Sequence, residues 1–168
     1  TFAYNKSEHF ARRIDGFLSP EVDPTTQLGY AEGAIREGGF FGVGVGEGQV
    51  KWSLPDAHTD FIIAVAAEEF GIFATLAIVS LFFFIVLRGL SRVVRDANLF
   101  VLLAVAGLLT QFGLQALINM GVTVQLLPAK GMTLPFISYG GSSLIASALG
   151  MGMVLALTRS GHRSKAAA

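Results

Sequence analysis

The chain has 168 residues, 52% of them hydrophobic and only 14% charged, with zero formal net charge at pH 7 and a mean hydropathy of +0.60. That balance belongs to integral membrane proteins and gives no global attraction to nucleic acid. The absence of cysteine excludes a disulfide framework and thiolate metal sites.

In chain order, the opening "TFAYNKSEHF" has no initiator Met and neither the basic nor the apolar region of a signal peptide. A fragment lacking an N-terminal part is therefore expected. Residues 1–60 carry more acidic than basic side chains and turn punctuation in "LSPEVDPTT". Leu28, Ala31 and Ile35 then allow a short amphipathic helix lying at an interface. The glycine cluster "GVGVGEG" (42–48) has no preceding strand and no following Lys-Ser/Thr, so it reads as a flexible or closely packed turn and not as a phosphate loop.

Three apolar stretches are long enough to cross a bilayer, which takes about 20 residues. They run at about 61–87, 99–118 and 136–157. Arg88, Arg92 and Arg95 follow the first, and Arg159, Arg163 and Lys165 follow the third, whereas the loop after the second carries Lys130 alone. Cations accumulate on the cytoplasmic side. The expectation is an all-α integral membrane protein: a periplasmic loop with short interfacial helices over 1–60, a membrane domain over 61–158, and a cytoplasmic tail over 159–168. The loop at about 119–135 is expected to be periplasmic as well.

The stretch "LPDAHTDFIIAVAAEEFGIF" (54–73) puts Asp60 where the first span begins. A helix starting near Thr59 would hold Asp60 in its first turn, as a cap favoured by the macrodipole. The other reading is a general base at the membrane surface, helped by His58 and by the turn that Pro55 imposes. Spacing alone leaves both open. Glu68 and Glu69 follow about 12–14 Å along the helix. They are expected to point apart, Glu68 to a polar cavity and Glu69 to a neighbouring helix, either as part of the chemistry or as carboxylates pinning helices together. Gln111, Gln115 and Asn119 form a polar stripe of the kind that joins helices and sometimes lines a substrate path. Ser142, Ala146 and Gly150 have a small-xxx-small spacing that reads as packing. Lys130, in a loop broken by Pro128 and Pro135, either snorkels or meets a phosphate.

"LPDAHTDFIIAVAAEEFG" and "LPAKGMTLPFISYGGSS" resemble the two signature regions of the SEDS family, the FtsW, RodA and SpoVE proteins of bacterial cell-wall synthesis. The likeness covers residues 8–160, and "GLQALINMG" leading into "LPAKG" is similar to the FtsW branch. The family has ten spans, so the resemblance implies its last three with the large outer loop before them, and a fragment inactive by itself. Gln125 and Ala129 depart from the family pattern, the first where a small residue is commoner.

The resemblance implies an inner-membrane peptidoglycan glycosyltransferase of cell division that polymerises lipid II. It implies a catalytic role for Asp60 and a required Lys130, with Glu68 and Glu69 in less defined roles. His58, Arg12 or Arg13 and Ser138 join them as candidate substrate contacts, and a divalent cation, Mg or Mn, is a candidate cofactor. Expected partners are lipid II, the growing glycan chain, a class B penicillin-binding transpeptidase and other divisome membrane proteins. Two other roles are a lipid II flippase and a non-catalytic divisome scaffold.

Overall fold

The computed structural model describes residues 26–54, 57–94, 98–128 and 131–166. Among them are five helices and no strand: α1 (Gln27–Gly38), α2 (Val50–Ser53), α3 (Ile62–Val93), α4 (Leu99–Thr123) and α5 (Gly141–Ala166). α3, α4 and the Gly141–Arg159 part of α5 are long and apolar enough to cross a membrane. The three long helices are those anticipated, but their limits differ. α3 continues past residue 87 through Arg88 and Arg92, both good helix formers and exposed there. α4 runs on past 118 because its last polar side chains are buried, with Thr123 Oγ1 donating to Asn119 O at 3.0 Å. The third helix starts at Gly141 and not at Phe136, since Pro135 and a positive φ of 64° at Phe136 turn the chain first.

α1 is opened by Thr26, whose hydroxyl accepts from Gly29 N at 3.2 Å. It packs mainly on α3. Ala31, Ala34 and Gly38 make its buried face, and the approach is backbone to backbone: a Cβ on Gly38 would lie 1.9 Å from Ala67 O. α3 is broken at Gly71 (φ 78°, ψ −179°), and the glycine-rich segment after α1 fills the break. Val43 N donates to Glu68 O at 2.9 Å, Gly44 N to Glu69 O at 3.2 Å and Ile72 N to Gly39 O at 3.0 Å. Thr75 Oγ1 donates to Gly71 O at 3.0 Å. These bonds stabilise backbone groups that an unbroken helix would have paired internally. The glycine cluster is thus a packed turn.

The core lies in three layers. Phe61, Ala64, Val65 and Val122 pack with α1 at one end. Ile63, Phe82, Phe112 and Leu134 fill the middle, with the Phe82 and Phe112 rings stacked at 5.5 Å. Val93, Val101, Val105, Leu109 and Val154 close the opposite end, where Asn98 caps α4 by accepting from Phe100 N at 3.0 Å.

Candidate active site

Asp60 precedes α3 and does not sit in its first turn. The cap position falls to Phe61, which makes no side-chain cap bond and is 2% exposed in the α1 layer. Burial of that ring fixes where the helix can begin and leaves Asp60, half-buried, in the turn before it. A chain of polar contacts then folds the 131–140 segment over this turn. Asn119 Nδ2, on α4, donates to Asp60 O at 2.8 Å and also to Met132 O. One turn earlier, Gln115 Nε2 donates to Thr133 O at 3.0 Å. Thr133 Oγ1 meets Ser143 Oγ at 2.7 Å, and Tyr139 N donates to His58 O at 2.9 Å.

The result brings both signature stretches together. A Cβ on Gly131 would lie 3.4 Å from Asp60 Oδ2, so the Asp60 carboxylate stands beside the open face of Gly131. Beside it, a cavity of about 460 Å³ is lined by His58, Ile62, Ile137, Ser138 and Tyr139. A second cleft of about 670 Å³ runs between α4 and α5, with Gln111, Gln115, Thr133, Ser142, Ser143 and Ser147 among its lining.

Several expectations change. Gln115 and Asn119 grip the backbone of the 131–134 segment, because its carbonyls lie outside any helix and need donors from elsewhere. Ser142, Ala146 and Gly150 line the cleft and are not buried in a helix contact; α5 packs through Met151, Val154 and Leu157 instead. Glu68 does not face a polar cavity. It is fully buried, Oε1 accepts from Gln49 N at 2.6 Å, and a Cβ on Gly48 would collide with Oε2 at 2.7 Å. Glu69 is half-buried, and its Cγ would be 3.2 Å from the same Cβ. Both glutamates therefore lie against the Gly48 segment. The glycine turn, brought back by α1, occupies the space that the sequence left open for a cavity and a neighbouring helix.

Ser138 is 8% exposed and staples a turn: its hydroxyl accepts from Leu134 N at 2.8 Å while its own N–H donates to Leu134 O at 3.1 Å. His58 is exposed at the mouth of the smaller cavity. Lys130, Arg12, Arg13 and Pro55 lie outside the described residues. Among the described residues no three His, Asp or Glu side chains come together to hold a metal ion. The roles of Asn119, Gln115 and Gly131 were missed in the sequence. Their signal was present in the polar stripe and the Lys-Gly pair, but spacing does not say what a carboxamide grips.

Fold and site define a multi-pass α-helical membrane protein that holds a carboxylate where a span meets a folded-back loop. The chain belongs to the FtsW, RodA and SpoVE family of cell cycle proteins, whose family model matches residues 2–163. It is 50% identical over 152 residues to a probable peptidoglycan glycosyltransferase FtsW of Caulobacter vibrioides, covering 90% of this chain and 39% of that protein. It is 42% identical over 153 residues to the protein of the same name in Trichlorobacter lovleyi, covering 89% and 40%. The chain thus spans about two fifths of the length of these relatives. Among solved structures, one on the structural coordination of polymerization and crosslinking by a peptidoglycan synthase complex superposes with a TM-score of 0.74 at 28% identity. That match covers 96% of this chain and 45% of the other. A variant of the rod shape determining protein RodA from Thermus thermophilus gives 0.57 at 36% identity, over 61% and 34%.

Proposed function

We propose that the protein containing this chain is a peptidoglycan glycosyltransferase that polymerises lipid II, with Asp60 as its general base. The observation that carries the reading is the approach of the Asp60 carboxylate to Gly131, which joins two signature segments distant in sequence. A sugar hydroxyl of one lipid II attacks the anomeric carbon of the growing chain. The new C–O bond forms on the face opposite the bond that breaks, undecaprenyl pyrophosphate leaves with the electron pair, and Asp60 takes the hydroxyl proton. The configuration inverts. Lys130, the sequence neighbour of Gly131, supplies the cation that offsets the leaving pyrophosphate. His58, at the cavity mouth, contacts substrate, and Arg12 or Arg13 adds positive charge from the outer loop. The names of the relatives support the activity, and the synthase complex supports a penicillin-binding transpeptidase as partner. We place residues 1–60 and the 119–135 loop on the periplasmic side and the C-terminus in the cytoplasm.

The cleft between α4 and α5 favours one second reading. Its amide and hydroxyl lining offers a polar route along two membrane-crossing helices, as a lipid II translocator would need. Asp60→Asn separates the two. It is nearly isosteric and removes only the basic oxygen, so lipid II polymerisation by the purified full-length protein with its transpeptidase should fall about 10²-fold or more. Translocation lost with polymerisation intact would overturn the transferase reading.

A further inference from the structure

We propose that Asn119 is a positioning residue for Asp60, setting the carboxylate against the incoming hydroxyl through the Asp60 backbone. The proposal rests on the general-base reading above. Asn119 is 2% exposed, and its one Nδ2 serves two segments: Asp60 O, 59 residues away in sequence, and Met132 O, 13 residues away. Two carbonyl acceptors fix which end of the carboxamide is nitrogen, since a reversed amide would set oxygen against two oxygens. Both N–H groups are then used.

Among the described residues, Oδ1 is left buried with no hydrogen-bond partner. Such an orphaned acceptor costs about 1–3 kcal/mol. An apolar side chain of similar shape would carry no such cost, so packing alone does not account for an asparagine here. What distinguishes it is the pair of bonds made by Nδ2.

Those bonds act just before α3, where the helix's own hydrogen-bond ladder has not begun. Tying the Asp60 carbonyl to α4 fixes the peptide plane that follows Cα, and with it the direction of the side chain. The same carboxamide ties the residue after Gly131, whose Cα faces Asp60 Oδ2. One side chain thus sets the carboxylate and the loop opposite it from a single point on α4. A misplacement of about 1 Å at a reacting group can cost about 10²-fold in rate.

The test is a double-mutant cycle between Asn119→Leu and Asp60→Asn, measured as lipid II polymerisation by the full-length protein. Amounts are normalised to monodisperse protein. In the wild-type background, Asn119→Leu should lower kcat about 10²-fold with KM within about twofold. In the Asp60→Asn background the same change should cost less than about threefold, because there is no base left to aim. Gln115→Leu, which removes bonds to Thr133 O and Ser143 Oγ but none to Asp60, should cost less than Asn119→Leu. Should Asn119→Leu not fold, Asn119→Asp keeps the shape and offers at most one donor, and the same cycle applies. Equal fold losses in both backgrounds would make the role structural and overturn the proposal while the base stands. Full activity of Asp60→Asn alone would overturn the base assignment and the clamp with it.

Discussion

Gln125 has φ 60°, where a Cβ crowds the following carbonyl and costs about 1–2 kcal/mol. Local bonds offset part of this. Its Nε2 donates to Glu32 Oε2 at 3.2 Å and to Leu28 O at 3.4 Å, tying the end of α4 to α1. Gln125 thus sets a side-chain tie between two elements against the strain of its φ. Gln125→Ala keeps the strain and loses the tie, whereas Gln125→Gly loses the tie and releases the strain. The glycine variant should be the more stable of the two by about 1 kcal/mol, read as a higher thermal transition in detergent. The reverse order would show that the φ carries no strain there.

α3 has 32 residues, a rise of about 48 Å against a hydrocarbon core of about 30 Å. The part after the break, Ile72 to Val93, rises about 33 Å and suffices to cross. The part before it, with Glu68 and Glu69, is wrapped by α1 and the glycine turn. Gly71 makes the join, in a φ, ψ region open in practice only to glycine. A Cβ there would also meet Phe40 O at 2.4 Å. Gly71→Ala should therefore destabilise by at least about 2–3 kcal/mol, seen as a lower detergent thermal transition and reduced protein in membranes. Gly33→Ala is the counter-case, since Gly33 lies inside α1 with nothing within 4 Å of an added Cβ. It should be neutral or stabilising by up to about 1 kcal/mol.

Across the whole molecule, charge and site separate to opposite ends. Val93, Val101 and Val154 share a layer, which brings the C-terminal part of α3, with Arg92, near that of α5, with Arg159. Asp60 lies with Phe61 and α1 at the other end, and the 131–140 segment reaches from there into the middle layer. The positive-inside preference then gives one orientation for the whole bundle. The chain has no cysteine of its own, so a single substitution adds the one thiol within it. Val45→Cys, at a residue 73% exposed, should react with an impermeant maleimide in spheroplasts, and Ser91→Cys, also exposed, should not. Reversed labelling would invert the bundle and overturn the periplasmic placement proposed for the site.

The three spans, their basic flanks and the two signature stretches were legible in the sequence because each rests on composition over a contiguous run. Hydrophobic length and local charge need no knowledge of neighbours. Helix limits were less legible. Arg88 and Arg92 look like an exit from the membrane yet continue α3, and the turn at Phe136 depends on packing against Phe112 at 6.0 Å. The fate of single polar groups was decided by the tertiary structure alone. Glu68 receives a backbone N–H from Gln49, nineteen residues before it, and Asn119 receives two carbonyls from segments on either side of it in the chain. A buried hydrogen bond is set by which backbone atom arrives within about 3 Å, and that arrival depends on how α1, the break at Gly71 and the folded-back loop pack together.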